Sequence, residues 1–343
     1  MITTRIAMSR AHLPILGGNM LRLAKPLLAL GLTLASFSST AQTYPTRPIT
    51  MIVPFAPGGT TDVLARIVAE AMGQQLGQNV IVENVGGAGG RTGTERVIRV
   101  TPDGYTILFA NMGPMAASKA LFKDQRYDPR TDLAPIGIVS DVPMIIAASK
   151  KSGVTDLKTF LGRMKEQGDA VTFGTAGYGA TSDLAPNLLL HLTKFKATIV
   201  PYQGAGPAIR DLTGGFVDGV IDQTATLLPL DQGGAVKALA VSGGARIPQA
   251  PTLPTFAEAG LPDFTMTVWN AIAAPQATPP AILERLVAAL DASLDGPVVQ
   301  KRFEELAVPV PPKSARGPKP LAALVSVEVE RWATVFKEAQ AKP

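Results

Sequence analysis

The chain has 343 residues, of which 32 are Lys or Arg and 27 are Asp or Glu, and it contains two histidines and no cysteine. The lack of cysteine excludes disulfides, thiol nucleophiles and zinc sites built on cysteine. His12 and His191 are too few imidazoles for a histidine-rich metal site or a histidine-based catalytic array, and we expect no metal and no cofactor.

Residues 1–41 have the layout of a secretory signal peptide. Four basic and no acidic residues accompany an apolar stretch, residues 26–37, and small residues precede a predicted cleavage after Ala41. The apolar stretch is shorter than the roughly 20 residues that cross a bilayer, so we expect export without membrane insertion of the mature chain. The sequence leaves open whether translation starts at Met1 or at Met20.

The mature chain is almost neutral. Removal of the leader lowers the number of Lys and Arg from 32 to 28, against 27 Asp and Glu. A nearly neutral chain with few aromatic side chains offers no electrostatic basis for binding nucleic acid or an anionic membrane surface. We therefore expect neither as a partner.

Short β-rich runs alternate with helical patterns along the mature chain, and this alternation is typical of βαβ units around parallel sheets. In the first set, predicted strands cover residues 49–55, 80–83 and 106–110, and predicted helices cover residues 61–75 and 92–100. In the second set, predicted strands cover residues 172–175, 198–200, 217–221 and 237–241. One predicted helix ends near Thr193, and another covers residues 207–212. The two sets predict an α/β fold with two lobes.

Two apolar segments, residues 136–148 and 264–274, are predicted to cross between the lobes. The predicted C-terminal helices, residues 280–294, 298–306 and 321–339, then return to the first lobe. This arrangement places residues 42–141 and 268–343 in the first lobe and residues 142–267 in the second. Each lobe is expected to be a mainly parallel sheet flanked by helices.

The first candidate binding loop lies in the sequence PFAPGGTTD, where Gly58 and Gly59 separate the first predicted strand from its helix. Ligands of open α/β sheets bind at this edge. The first helical amides lack an intrahelical partner and the helix dipole makes this end partly positive, so the turn can hold an anion. Thr60 and Thr61 add hydroxyls, and Asp62 is expected to cap amides or fix the loop. The alternative is a plain tight turn with a cap.

A second loop, in TFGTAGYGATSDLAP, repeats this arrangement in the other predicted lobe, with Gly177 and Gly179 in the turn. Proline is tolerated in the first turn of a helix, where an amide is to spare. Pro186 therefore predicts a helix start with Asp183 as the N-cap and Pro186 at the third helical position. Two such loops facing each other would form an anion site between the lobes.

A glycine run in ENVGGAGGRTG does not have the G-x-G-x-x-G spacing of a dinucleotide site, and no glycine loop is followed by G-K-[ST]. The favoured interpretation is a turn that lets a helix pack closely on the sheet. A G-x-S-x-G nucleophile elbow is also missing from the sequence.

Several stretches together resemble the periplasmic receptors of tripartite tricarboxylate transporters, the Bug-type solute-binding proteins. They include YPTRPITMIVPFAPGGTTD, VIVENVGGAGGRTGTERV, PDGYTILFAN, VPYQGAGPAIRDLTGGFVDGVIDQ, KALAVSGGARIPQAPTLPTFAEAGLP and ERWATVFKEA. The similarity runs from about Tyr44 to Ala339. It implies a type II periplasmic binding protein, a two-lobed Venus flytrap that captures a small carboxylate and delivers it to integral-membrane permease subunits. It also implies a protein that is not an enzyme.

The resemblance implies that the loops at residues 57–62 and 175–183 hold one ligand carboxylate from both sides, and that variable residues at 55, 111–114, 202 and 222–224 meet the far end of the ligand. The ligand-binding residues predicted from both arguments are Phe55, Pro57, Gly58, Gly59, Thr60, Thr61, Asp62, Asn111, Thr175, Gly177, Tyr178, Gly179, Ala180, Thr181, Ser182, Asp183, Tyr202, Asp222 and Gln223.

The second loop departs from the family pattern at two positions. Members commonly carry serine where this chain has Ala180 and histidine where it has Asp183. A carboxylate beside a bound anion would repel it in a dry cleft. Asp183 is therefore expected either to face an ammonium group on an amino-acid-like ligand or to be turned away as a cap.

Two other functions stay open at this point. The closed protein could be presented to a signalling partner instead of a permease, or the chain could be an exported α/β hydrolase. The ligand is equally open among di- and tricarboxylates, amino acids and aromatic acids, since all offer the same first carboxylate. We expect a monomer.

Overall fold

The structure, a computed structural model, describes His12 and residues 44–341. The predicted leader, residues 1–41, lies outside the described residues apart from His12. None of the described helices combines the length and the apolar character that crossing a bilayer would require.

Nine strands and eleven α-helices form the described chain from Tyr44 onward. The strands are β1 (Ile49–Val53), β2 (Val80–Asn84), β3 (Thr106–Asn111), β4 (Leu133–Ser149), β5 (Thr172–Thr175), β6 (Thr198–Pro201), β7 (Gly219–Gln223), β8 (Val236–Val241) and β9 (Thr267–Pro275). The helices are α1 (Thr60–Leu76), α2 (Arg91–Arg99), α3 (Ser118–Leu121), α4 (Pro129–Asp132), α5 (Leu157–Gln167), α6 (Thr181–Thr193), α7 (Ala205–Gly214), α8 (Thr224–Gln232), α9 (Pro280–Asp295), α10 (Pro297–Glu305) and α11 (Pro318–Ala341).

The long strand β4 belongs to two sheets and joins two lobes. Its residues 133–143 pair antiparallel with β9, next to the parallel strands β3, β1 and β2. From Met144 onward, β4 pairs antiparallel with β7 and β8, and β7 continues into the parallel strands β5 and β6. The first sheet and its helices form the first lobe, and the second sheet and its helices form the second. The chain returns to the first lobe between β8 and β9.

Helices cover both faces of the sheets, and this explains why central strands such as β1 and β3 are nearly continuous apolar runs. In β1, Ile49, Met51, Ile52 and Val53 have no exposed surface. Strands that are buried on both faces lose the alternation of apolar and polar residues. Helix α1 packs beside β1, α9 lies against α1, and α11 lies against β4, so these C-terminal helices return to the first lobe. Each buried Leu, Ile or Met stabilises this core by about 1.5–3 kcal/mol.

The structure also contains elements that the sequence does not predict. Helices α3, α4, α5 and α8 are absent from the predicted set, and β4 begins three residues before the predicted crossing segment, at Leu133. Helix α8 contains Pro229, which ordinarily argues against a helix interior. Local patterns alone therefore predict too few helices in both lobes.

Candidate ligand-binding cleft

The two glycine loops meet across the junction of the lobes. The first connects β1 to α1 and the second connects β5 to α6, both at the carboxyl ends of parallel strands. They line a common cavity of about 20 Å³. Its wall consists of Phe55, Gly59, Thr60, Thr61, Asp62, Asn111, Ala176, Ala180, Thr181, Ser182, Ala205, Asp222 and Gln223. In this arrangement the enclosed space is about that of one water molecule, for which roughly 10–15 Å³ is needed.

The two loops are built in the same way. Asp62 Oδ2 accepts a hydrogen bond from the Gly58 amide at 3.0 Å, and Asp183 Oδ2 accepts one from the Gly179 amide at 2.9 Å. Each aspartate is the third residue of its helix and bonds an amide four positions earlier. The carboxylates therefore fix the loops. The amides at the starts of α1 and α6 lack a partner within their helix, except that of Asp183, which donates to the Ala180 carbonyl at 2.9 Å.

The predicted start of α6 is wrong. The helix begins at Thr181 with Ala180 as its N-cap, so Pro186 is the sixth helical residue and Asp183 is not the N-cap. The loop explains this shift, because Ser182 Oγ accepts the Ala176 amide at 2.8 Å and Asp183 holds Gly179. Those bonds require residues 181–183 to form the first turn of α6. They therefore outweigh the backbone hydrogen bond that is lost at Pro186 inside the helix.

Asp62 is the more strongly held of the two carboxylates. Its oxygens accept hydrogen bonds from Arg66 Nη2 at 2.9 Å and from Asn84 Nδ2 at 2.9 Å, besides the Gly58 amide. Burial by itself would raise the pKa of Asp62, but these donors more than offset it and hold the pKa below its ordinary value. Asp62 is thus ionised, its charge is balanced by Arg66, and it supports the first loop.

Asp222 is the other acidic residue of the wall, and it is fully buried. It accepts hydrogen bonds from Thr226 Oγ1 at 2.8 Å and, across the lobe junction, from Thr60 Oγ1 at 3.5 Å. Burial raises the pKa of Asp222 to about 6, and the hydrogen bonds lower it only in part. Because a carboxyl with this pKa gains or loses its proton near neutral pH, Asp222 makes the site sensitive to pH.

Two amide side chains complete the polar wall. Asn111 donates to Thr61 Oγ1 at 3.2 Å and accepts the Gly113 amide at 3.0 Å. Gln223 Oε1 accepts a hydrogen bond from Asn270 Nδ2 at 2.7 Å. These bonds orient both amides at the cavity.

The remaining predicted residues lie outside the wall. Pro57, Gly58, Gly177 and Gly179 form the loops behind it, and Thr175 ends β5 below the second loop. Tyr178 is 60% exposed and packs edge-on against Phe122, with ring centroids 5.3 Å apart. The Tyr202 hydroxyl donates to Asp211 at 2.6 Å. Asp183 lines a different cavity, which lies between α6 and α11.

Two wall residues, Ala176 and Ala205, are missing from the predicted set. Ala205 is the first residue of α7, so a third helix starts at the cavity. The available signal is the glycine pair in YQGAG, which resembles the other two turns. Alanine carries no hydroxyl or charge, and for this reason neither residue stands out by its chemistry.

Glycines bring the backbones of the two lobes into contact. A Cβ atom on Gly206 would lie 2.1 Å from the Pro57 carbonyl oxygen, and one on Gly89 would lie 2.3 Å from the Tyr178 carbonyl oxygen. The Ala56 amide donates to the Gln203 carbonyl at 3.0 Å nearby. Gly89 belongs to the glycine run that the sequence predicts to be a helix-packing turn. Gly93, at the end of the same stretch, packs a helix in this way, but Gly89 contacts the other lobe.

Comparisons with known proteins agree with this architecture. A family model described as tripartite tricarboxylate transporter family receptor matches residues 64–340. Protein BugT of Bordetella pertussis is 36% identical over 307 residues, which are 88% of this chain and 92% of that protein. The structure of the periplasmic binding protein BugD has a TM-score of 0.83 and 40% identity, covering 87% of this chain and 99% of BugD. The malate-bound structure of MatC from Rhodopseudomonas palustris has a TM-score of 0.82 and 37% identity, covering 85% of this chain and 99% of MatC. The resemblance noted in the sequence and the predicted two-lobed α/β fold are both confirmed.

Proposed function

Because the chain belongs to the tripartite tricarboxylate transporter receptor family, we propose that it captures a small carboxylate in the periplasm by lobe closure and delivers it to a membrane permease. The observation that carries the proposal is the pair of helix starts that face one cavity from different lobes. Among the described residues, the wall has no Lys, Arg or His, so helix ends and amides supply its positive potential.

Backbone donors alone are sufficient for useful affinity. A hydrogen bond to a charged group contributes about 1.5–3 kcal/mol, so four of them supply roughly 6–12 kcal/mol before ordering costs. Micromolar affinity requires about 8 kcal/mol. An arginine clamp is therefore not needed, provided that closure excludes bulk water.

Closure and binding are one event in this scheme. Thr60 and Thr61 contact the cavity from the first lobe, and Thr181 and Ser182 contact it from the second. A ligand that touches both loops has contacts that exist only when the lobes meet, so it favours the closed arrangement.

The class of the ligand is a small carboxylate. The malate-bound relative MatC supports this class, as it shows a dicarboxylate in a protein of the same fold and 37% identity. Asp222 then meets the far end of the ligand, where its protonated form donates a hydrogen bond to an acid and its ionised form accepts one from an ammonium group. The ligand candidates thus remain dicarboxylates, tricarboxylates, amino acids and aromatic acids.

A thermal-shift panel tests the proposal. Malate, adipate, citrate, aspartate and nicotinate are each compared with the corresponding amide. A ligand at about 100 times its dissociation constant stabilises the folded chain by about 2.7 kcal/mol, so at least one acid should raise the melting temperature by a few degrees. Amides that stabilise as well as their acids, or a panel in which no acid binds, would overturn it.

Thr181 offers a matched pair of variants for the amide donors. Proline fits the first helical position, so Thr181→Pro deletes one amide with little damage to α6, whereas Thr181→Val deletes the hydroxyl and keeps the amide. Loss of one charged hydrogen bond, about 1.5–3 kcal/mol, should weaken carboxylate binding about tenfold or more in Thr181→Pro alone. Equal affinities in calorimetric titrations of the two variants would remove this amide from the site.

A further inference from the structure

A second cavity of about 520 Å³ lies between the lobes, on the other side of the second loop. We call it the α6–α11 groove. One wall is the α6 stripe of Leu184, Leu188 and His191, and the other is α11 with Trp332 and Phe336. The groove is within the range of roughly 300–1,000 Å³ that is typical of small-molecule sites.

The groove is separate from the carboxylate cleft. Adjacent residues of one segment face different cavities: Asn111 lines the cleft and Met112 lines the groove, and likewise Ser182 lines the cleft and Asp183 lines the groove. A molecule in the groove would therefore not touch the first-turn amides that face the cleft. It would nevertheless contact both lobes.

The walls of the groove are mainly apolar and aromatic. Leu184, Met112 and Trp332 are almost fully buried beneath it. The rings of Trp332 and Phe336 lie 5.4 Å apart on one side, and Tyr178 is exposed at the edge. Such a surface binds the flat apolar body of a ligand, and its ring faces attract a cation.

The charged groups favour a cationic ligand. Asp183 is 2% exposed and accepts a hydrogen bond from the Gly179 amide, and none of the ion pairs among the described residues involves it. Burial raises the pKa of its carboxyl, and hydrogen bonds from Gly179 and Thr175 offset this only in part. Asp263 adds a second carboxylate at the exposed rim. Arg331 also lines the groove, but it is paired with Glu328 at 3.0 Å. A buried carboxylate without a cation is costly, so an incoming ammonium group gains most at Asp183.

We propose that the α6–α11 groove binds a small aromatic amine, with the ammonium group against Asp183 and the ring between Leu188 and Trp332. This site is additional to the carboxylate cleft, and the proposal does not rest on the identity of the carboxylate. Both lobes form the groove, so binding of the amine in the groove and binding of the carboxylate in the cleft are coupled. Each ligand then changes the affinity of the chain for the other ligand by the same factor.

The test uses three probes of the same shape and different charge: 2-phenylethylamine, 2-phenylethanol and 3-phenylpropanoate. Trp269 and Trp332 are the two tryptophans of the chain, and only Trp332 lines the groove, so Trp269→Phe leaves Trp332 as the fluorescent reporter. The amine should give a saturable change, and the alcohol and the acid should bind about tenfold more weakly or worse. Calorimetry on the unsubstituted chain gives the same comparison if Trp269→Phe does not fold. Failure of the amine to saturate, or equal binding of the alcohol or acid, would overturn the proposal.

Two isosteric variants locate the ammonium group. Asp183→Asn keeps an oxygen for the Gly179 amide but removes the charge, and it should weaken amine binding about tenfold or more while leaving 2-phenylethanol unchanged. Asp263→Asn is the matched control at the exposed rim, where a charge changes affinity by about threefold or less. If Asp183→Asn does not fold, Leu188→Arg places a guanidinium in the groove and should abolish amine binding. Unchanged amine affinity in Asp183→Asn or in Leu188→Arg would contradict the placement of the amine in this groove with its ammonium group against Asp183.

Discussion

Asp222 illustrates how one buried carboxyl makes the stability of this chain depend on pH. In the folded chain burial raises its pKa to about 6, above the ordinary value near 4, so the folded state holds the proton more tightly than the unfolded state. The free energy of unfolding must then fall as the pH rises from about 4 through about 6. A difference of about two pKa units corresponds to on the order of 3 kcal/mol.

Asp222→Asn should therefore be more stable than the unsubstituted chain at about pH 7.5, by up to about 3 kcal/mol, and should lose this advantage at about pH 4.5. The asparagine oxygen can still accept from Thr226 while carrying no charge. Urea unfolding followed by circular dichroism at the two pH values measures the difference. Asp169→Asn, at an exposed position, is the control that should show no such divergence. Parallel loss of stability in Asp222→Asn and the unsubstituted chain would contradict the prediction.

The sequence identifies the loops that line the candidate cavity better than the individual side chains that face it. Paired glycines after a strand mark Gly58–Gly59 and Gly177–Gly179, because a helix start at a sheet edge needs such turns. Which side chains then face the cavity depends on long-range contacts that no local pattern contains. Asp183 is an example: its bond to Gly179 turns it out of the wall, although its neighbour Ser182 remains in it.

At the scale of elements, the strands are the most predictable part. Strands β1 and β3 appear as apolar runs at nearly the observed bounds, since burial on both faces leaves little ambiguity, and β5 has its predicted bounds. Helix starts are harder, because tertiary hydrogen bonds can override a proline. The start of α6 is five residues before Pro186 for this reason, and α8 tolerates Pro229.

The start of α7 is the element that most directly controls lobe contact. The backbone of Gly206 has no positive φ, so alanine can adopt its helical conformation. The Cβ atom of that alanine would, however, lie 2.1 Å from the Pro57 carbonyl oxygen of the other lobe. Gly206→Ala should therefore obstruct closure without unfolding either lobe. We expect weaker binding of whichever carboxylate the panel identifies, by about tenfold or more, since closed-state contacts supply the affinity.

Gly162→Ala is the matched control for this substitution. Gly162 lies inside α5, and a Cβ there would meet no atom within 4 Å. Replacing an interior helical glycine by alanine should stabilise the chain by about 1 kcal/mol without changing carboxylate affinity. Calorimetry for affinity and thermal melting for stability separate the two variants. If Gly206→Ala bound its carboxylate as well as Gly162→Ala does, the glycine contact would not limit closure.

At the scale of the whole molecule, the connections between lobes set what can move. The strand β4 runs through both sheets and changes partners between Pro143 and Met144, while the chain returns just before β9. Two such connections allow the lobes to rotate as rigid bodies about the segment near β4 residue 143, a hinge motion. In the proposed capture scheme the cleft amides belong to different lobes, so this rotation would bring together or separate the donors for one ligand.

The absence of cysteine makes this motion measurable, because two introduced cysteines are the sole thiols in the chain. Glu70 on α1 and Arg210 on α7 are exposed, and these helices start at the same junction between the lobes. With spin labels at Glu70→Cys and Arg210→Cys, the carboxylate found by the panel should shorten and narrow the measured distance distribution. Adding Gly206→Ala should keep the distribution long even with carboxylate present, since the Pro57 carbonyl then blocks contact. If the distance between the two spin labels does not change when a carboxylate binds tightly, capture occurs without closure. The cleft amides of one lobe would then have to bind the ligand alone.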